Sequence, residues 1–179
     1  MDIILIILQS LWFILPAYFA NSSAVFFKGQ KPLDAGKKLK DGNRILGDGK
    51  TWEGTLGGLL IGTFVGFLQY LIYQKYFFAM SSLNYIQYSI WLGFALSFGA
   101  MTGDIFESFI KRRMNFKRGS EIIWDKLDFL IGALVIGYLL FDMFCISLWH
   151  IAFLVVFTPF IHRAFNIVAY LLKLKNVSW

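Results

Sequence analysis

Charge is scarce in this 179-residue chain: 16% of residues are charged, 58% are hydrophobic and mean hydropathy is +0.62. A soluble domain carries about 25% charged and about 45–50% apolar residues. The deficit excludes a water-soluble core as the home for this much apolar surface and calls for lipid. Cysteine is nearly absent. Cys145 alone rules out an internal disulfide or a multi-cysteine metal site, and in its apolar run it reads as a small buried hydrophobe. Two histidines, His150 and His162, are too few for a histidine metal cage. No basic segment precedes the first apolar run, where Asp2 is the only flanking charge, and no Ala-x-Ala site follows it, so the run reads as a retained helix rather than a signal peptide. No internal repeat or low-complexity segment is visible.

What is abundant is apolar sequence in helix-length runs. They cover Ile3 to about Phe27, Trp52 to Tyr73, about Tyr85 to Met101 with a polar extension to Arg113, about Leu127 to Phe144, and Leu148 to Leu172. Each approaches the roughly 20 residues a helix needs to cross a bilayer. Pro16 and Pro159 are expected kinks. Gly54, Gly57, Gly58, Gly62 and Gly66 make one face of the second run flat enough for close helix contact. The 19% aromatic content suits lipid-facing surfaces and interfacial belts. The expected fold is an all-α integral membrane protein of about five transmembrane helices with two long cytoplasmic loops, in one domain spanning 1–179.

The net charge of +6 could suggest nucleic acid in a soluble protein. Here the cations sit in loops: Lys28, Lys31, Lys37, Lys38, Lys40, Arg44 and Lys50 after the first run, then Lys111, Arg112, Arg113, Lys117, Arg118 and Lys126 after the third. The loop after the second run has only Lys75, and the loop after the fourth has neither Lys nor Arg. The positive-inside rule then puts the N-terminus outside and both long loops and the C-terminus in the cytoplasm of a multi-pass cell-membrane protein. No nucleic-acid partner is expected, and a homodimer is compatible with the sequence.

Asp104, Glu107, Ser108 and Lys111 share one helical face where the third run leaves the membrane. Asp125 and Asp128 share a face where the fourth begins. Ordinary helix-end charges would explain either set. One short loop joins the two runs, however, so they should be antiparallel neighbours with carboxylates at one depth. Such carboxylates amid Lys and Arg suit a hard cation, most simply Mg2+, that also holds phosphates. Gly49-Lys50-Thr51 resembles the end of a P-loop but lacks the glycine five residues earlier, where Arg44 stands. A glycine-rich turn feeding a helix N-terminus still favours an anion, and a flexible turn with topology lysines is the plain alternative. Together these features suit a nucleotide, a lipid phosphate, or both.

Gly103-Asp104-Ile105-Phe106-Glu107-Ser108-Phe109-Ile110-Lys111-Arg112-Arg113, then Lys117-Arg118-Gly119 and Asp125-Lys126-Leu127-Asp128-Phe129, resemble the cytidylyltransferase signature of the CDP-diacylglycerol synthases. Ala20-Asn21, Pro32-Leu33-Asp34-Ala35-Gly36-Lys37 and Gly47-Asp48-Gly49-Lys50-Thr51-Trp52 are similar to segments of the archaeal branch, the CDP-archaeol synthases. The bacterial His-Gly-Gly is missing and the loop is shorter, which favours the archaeal branch. The resemblance implies that CTP reacts with a dialkyl glycerol phosphate lipid, 2,3-di-O-geranylgeranylglycerol phosphate, to give a CDP-lipid and pyrophosphate with Mg2+ as cofactor. It implies Asp104, Asp125 and Asp128 as metal ligands, with Lys111 completing the catalytic set. Lys111 and Arg112 would hold phosphates, Ser108 would join the substrate-binding groups, and Asn21, Lys37, Arg44, Lys50 and Thr51 would line the nucleotide or lipid-phosphate side. The alternatives are a bacterial-type enzyme acting on a diacyl lipid, a CDP-alcohol phosphotransferase, whose aspartate string is absent, and a small transporter, which would carry charges near the midplane.

Overall fold

Polar residues at the helix starts set the boundaries in the computed structural model, which describes residues 2–27, 29–77, 88–116, 123–141 and 146–173. Asp2 caps α1 (Ile3–Ser23), its carboxylate accepting from the Ile4 amide. Thr51 caps α2 (Trp52–Ile72) through Gly54, and a π turn continues to Phe77. Ser89 caps α3 (Ile90–Arg113) through Leu92. A short 3-10 turn (Ile123–Lys126) precedes α4 (Asp128–Leu140), and Ser147 opens α5 (Leu148–Leu171). Among the described residues the only β pairings are isolated bridges, Pro32 with Thr51 and Lys38 with Arg44, both in the α1–α2 loop.

Five α-helices lie among the described residues, and α1 and α4 have bounds that differ from the expected ones. α1 stops at Ser23 rather than Phe27, where the Ser23 hydroxyl donates back to the Phe19 carbonyl at 2.5 Å and competes with further winding. α4 begins at Asp128 and ends at Leu140, because Phe141 turns extended and lays its ring against the core. Its 13 residues span roughly 20 Å, less than the ~30 Å hydrocarbon layer. α1, α2 and α5 are long and apolar enough to cross a membrane unaided. The expected start of the third run at Tyr85, the end of the fourth at Phe144, Lys117-Arg118-Gly119, Cys145 and Lys175 lie outside the described residues.

Small residues set how the helices meet. A Cβ on Gly66 would strike the Gly93 backbone, one on Gly62 would strike Ser97 and Pro16, and one on Gly58 would strike Ala20 and Met101. Each step of four along α2 therefore moves four residues backwards along both α1 and α3, so α2 is antiparallel to each. Gly99 lies against Gly132 and Ala133, and Gly103 against Asp128 and Gly132, so α4 is antiparallel to α3. Gln9 meets His150 at 3.0 Å and Tyr18 meets Thr158 at 2.8 Å, so α5 runs parallel to α1. The chain alternates direction, and the ends of α1, α3 and α5 share one side with the starts of α2 and α4. The described residues of the loops that join α1 to α2 and α3 to α4 lie on that side.

Lipid-like surroundings explain the outside. α5 presents Leu148, Trp149, Val156, Phe160 and Leu171, and α4 presents Tyr138, Leu139 and Leu140. In lipid a backbone polar group has no solvent partner and must be satisfied within the protein. Pro16, which lacks an N–H, leaves the Trp12 carbonyl without its helical donor, and the Gln69 side chain of α2 supplies one at 2.5 Å. The core gathers Phe13, Ile14, Tyr18, Leu96, Phe129, Leu130 and Leu154 around α1.

Candidate functional site

The close approach of α3 and α4 decides where the acids go. With glycine at 99, 103 and 132 the two backbones touch, so the C-terminal part of α3 lies beside the start of α4. Asp104 and Glu107 of α3 meet Asp125 of the 3-10 turn and Asp128 of α4 there. Asp125 and Asp128 thus come from separate elements, because Leu127 between them is not helical. Asp128 lies within electrostatic reach of Asp104, Glu107 and Lys50. Lys111 bridges Glu107 at 2.7 Å and Asp125 at 2.5 Å. Lys50, carried in by the first loop, pairs with Asp104 at 2.6 Å. Burial works against the Lys50 ammonium, but the Asp104 carboxylate outweighs it and holds the lysine pKa above its ordinary value.

The first loop is organised to deliver Lys50. Its hub is Asp34, whose side chain is wholly buried. It accepts from Arg44 Nε at 3.1 Å and Nη2 at 2.6 Å, and from the amides of Gly36, Leu46 and Gly47 at 2.9–3.1 Å. Gly47 donates from a φ of +91°, a conformation that excludes most side chains. The Arg44 guanidinium, then these amides against the cost of burial, hold the Asp34 carboxyl well below the usual carboxylate range. Arg113 fastens the loop to the end of α3, donating to Asp41 at 2.6 Å and to the Arg44 carbonyl at 2.5 Å. Asn43 adds a bond to Asn115 at 2.6 Å.

Two cavities flank the acid–lysine cluster. One, of about 610 Å3, lies between the ends of α1, α3 and α5 and the start of α2, and is lined by Asn21, Ser22, Gly49, Lys50, Thr51, Asp104, His162 and Asn166 together with apolar residues. The other, of about 850 Å3, is a groove along α3 and α4. Phe106, Ile110, Met114, Ile131, Val135 and Ile136 make it apolar, and Glu107, Lys111, Asp125 and Asp128 close its polar end. Both volumes fall in the usual range for ligand pockets, about 300–1,000 Å3.

The expected site residues therefore divide. Asn21, Lys50, Thr51 and Asp104 line the polar cavity, and Lys111, Asp125 and Asp128 line the apolar groove. Four others line neither. Arg44 is turned to Asp34 and Asp48, and Lys37 is exposed on the loop. Ser108 is buried beside Glu107, and Arg112 reaches towards Gly47, its buried Nε without a hydrogen-bond partner among the described residues. The Thr51 hydroxyl is already engaged as the α2 cap. Glu107 joins the cluster as a Lys111 partner, the i,i+4 pair that its spacing allows. His162 and Asn166 were missed. Their signal was available, since polar residues four apart inside an apolar span are costly there without a use.

Among the described residues no three acidic or histidine side chains converge into a protein-only metal cage. The carboxylates supply hard oxygen donors in ones and twos, the mode in which Mg2+ binds when substrate phosphates and water complete its shell.

Comparison with known proteins agrees over almost the full length. The family model described as CarS-like, CDP-archaeol synthase, matches residues 3–179. A CDP-archaeol synthase of Thermococcus gammatolerans is 47% identical over 171 residues, 95% of each chain. One of Methanocaldococcus jannaschii is 43% identical over 178 residues, covering 97% of this chain and 98% of the relative. A solved structure, described as an intramembrane enzyme for archaeal membrane lipids biosynthesis, is 34% identical with a TM-score of 0.76, covering 89% of this chain and 94% of that one.

Proposed function

This chain belongs to the CDP-archaeol synthase family, and we propose on that footing that it transfers the cytidylyl group of CTP to an archaeal ether-lipid phosphate and releases pyrophosphate. The observation that carries the reading is the acid–lysine cluster standing between a polar cavity and an apolar groove. The nucleotide enters the polar cavity, with its triphosphate along Gly49–Thr51. There the start of α2 and the Lys50 ammonium favour an anion. The lipid chains lie in the α3–α4 groove, which brings the lipid phosphate to Lys111.

A lipid phosphate oxygen attacks the α-phosphorus of CTP, a new P–O bond forms, and the bond to pyrophosphate breaks. No protein nucleophile is needed, and catalysis rests on positioning and electrostatics. Asp104 with Asp125 or Asp128 would hold a Mg2+ ion, which would supply positive charge against the triphosphate and the leaving pyrophosphate. Lys50 and Lys111 exchange carboxylate for phosphate contacts as substrates arrive. The site faces the cytoplasm, where CTP is, with the N-terminus outside. The lipid is a dialkyl glycerol phosphate carrying geranylgeranyl chains.

The test is turnover of radiolabelled CTP by detergent-purified protein with ether-linked or ester-linked lipid phosphates of matched chain length. The expected result is a CDP-lipid and pyrophosphate in equal amounts, formed faster with the ether lipid. Equal rates on both would favour a broader lipid specificity, and no CTP consumption by folded protein would overturn the reading.

A further inference from the structure

The first loop divides its charges by residue type. Its acids are spent on arginines: Asp34 and Asp48 pair with Arg44, and Asp41 pairs with Arg113. Apart from Lys50, its described lysines have no such partner. Lys31, Lys37, Lys38 and Lys40 are exposed, and none forms an ion pair among the described residues. Arginine, with its planar fork, builds the loop, and lysine, a flexible point charge, is left facing outward.

The frame that carries these lysines is ordered. The Leu39 and Ile45 amides donate to the Asn43 and Lys37 carbonyls at 3.0 and 3.1 Å, and the Gly42 amide donates to the Leu39 carbonyl at 2.9 Å, which closes a hairpin over 37–45. Leu39 is 43% exposed there, between Lys38 and Lys40. The frame also sits at a definite height. The chain leaves α1 through Phe26 and Phe27 and enters α2 at Trp52, three exposed aromatic residues of the kind that mark a membrane interface. The Trp52 amide donates to the Lys31 carbonyl at 3.0 Å, so Lys31 lies at that level. The exposed apolar residues of α3, Phe106, Ile110 and Met114, run out beside Arg113, which holds Asp41 of the hairpin at 2.6 Å. The loop therefore lies where hydrocarbon gives way to headgroups. A lysine side chain there comes within a Debye length, about 8 Å, of the lipid phosphates.

We propose that Lys31, Lys38, Leu39 and Lys40 form a docking surface for the anionic headgroups of the adjoining leaflet, with Leu39 entering the interface and the lysines meeting lipid phosphates. Each lysine close to an anionic membrane surface multiplies the attraction about fivefold. On the cytidylyltransferase reading the surface also concentrates the lipid substrate, because a phosphate monoester carries more negative charge than the phosphodiesters around it. The docking itself does not depend on that reading. Lysines that serve only to orient the chain during insertion would leave the hairpin in water.

The experiment is hydrogen exchange by mass spectrometry on the full chain in nanodiscs of zwitterionic lipid, with and without anionic phosphodiester lipid. It compares wild type with the triple variant Lys31→Gln, Lys38→Gln, Lys40→Gln and with the matching triple arginine variant. Peptides covering 37–45 should exchange about tenfold more slowly in the anionic bilayer, because the Leu39, Gly42 and Ile45 amides open only when the hairpin leaves the surface. High salt and the glutamine variant should abolish the slowing, and the arginine variant should keep it. Peptides within α1 and α2 should exchange alike throughout, which reports that the fold is intact. In turnover assays in the anionic bilayer the glutamine variant should raise KM for the lipid about tenfold and spare kcat and KM for CTP. Equal exchange in the two bilayers, or slowing that survives high salt or the glutamine variant, would overturn the proposal. Should the glutamine variant fail to fold, the salt dependence of the wild type decides alone. Docking with an unchanged KM for lipid would overturn the concentrating role. Docking by folded protein that does not consume CTP would instead bring down the enzymatic reading and leave the surface standing.

Discussion

Asp34→Asn should loosen the loop that brings Lys50 to Asp104. The substitution keeps the volume and removes the charge that accepts from Arg44, Leu46, Gly47 and Gly36. Breaking one side of a buried ion pair costs about 3–5 kcal/mol. Arg44 keeps 24% of its side chain exposed and retains Asp48 at 2.8 Å, which places the cost at the lower end. A loss of ~3 kcal/mol corresponds to about a 100-fold larger opening equilibrium for the loop. Hydrogen exchange read by mass spectrometry on peptides covering 34–48 should therefore speed up by about that factor, while peptides within α1 and α2 stay protected. Acceleration of less than about threefold would refute Asp34 as the hub of the loop. The pH dependence has a definite sign. The folded Asp34 pKa lies below the unfolded value of about 3.9. Its stabilisation is complete above the unfolded pKa and is lost as pH falls through the folded one. Wild-type loop protection should stay level from neutral pH to about pH 4 and decline only in stronger acid.

Two further outcomes follow from the packing and the charge pattern. Gly66→Leu would drive a large side chain into the Gly93 backbone, so the melting temperature in detergent should fall by several degrees, and an unchanged value would show that α2 and α3 do not meet there. A cysteine at Lys40 or Asn115 should react with an impermeant reagent only once the cytoplasmic side is opened, whereas labelling of intact cells from outside would invert the orientation.

The helices and the meeting of acids were legible because local spacing encodes them. Asp104, Glu107 and Lys111 fall on one face by helical repeat, and a short connection makes α3 and α4 neighbours. The pairing within the first loop was not legible. Pro32 to Lys37 reads as a substrate motif, yet Asp34 turns inward to amides 12 and 13 residues later, a closure that only the folded loop defines. Arg44 was expected at the phosphates for the same reason and serves Asp34 and Asp48 instead. Pro16 announced a broken helical bond, but its remedy, Gln69 on the Trp12 carbonyl, depends on the register between two helices. His162 and Asn166 were legible as two polar residues one turn apart in an apolar span, but the cavity they line is defined only by the packing of four helices.

The most direct test of the central claim is the Mg2+ dependence of CTP turnover in Asp104→Asn. If Asp104 is a metal ligand, loss of its charge should lower metal affinity or activity by at least ~10–100-fold. The Mg2+ midpoint should move upward accordingly, with the protein still folded in detergent. If Asp104 served only to hold Lys50, the midpoint would stay in place and KM for CTP alone would change. An unshifted Mg2+ midpoint with near wild-type turnover would contradict the account.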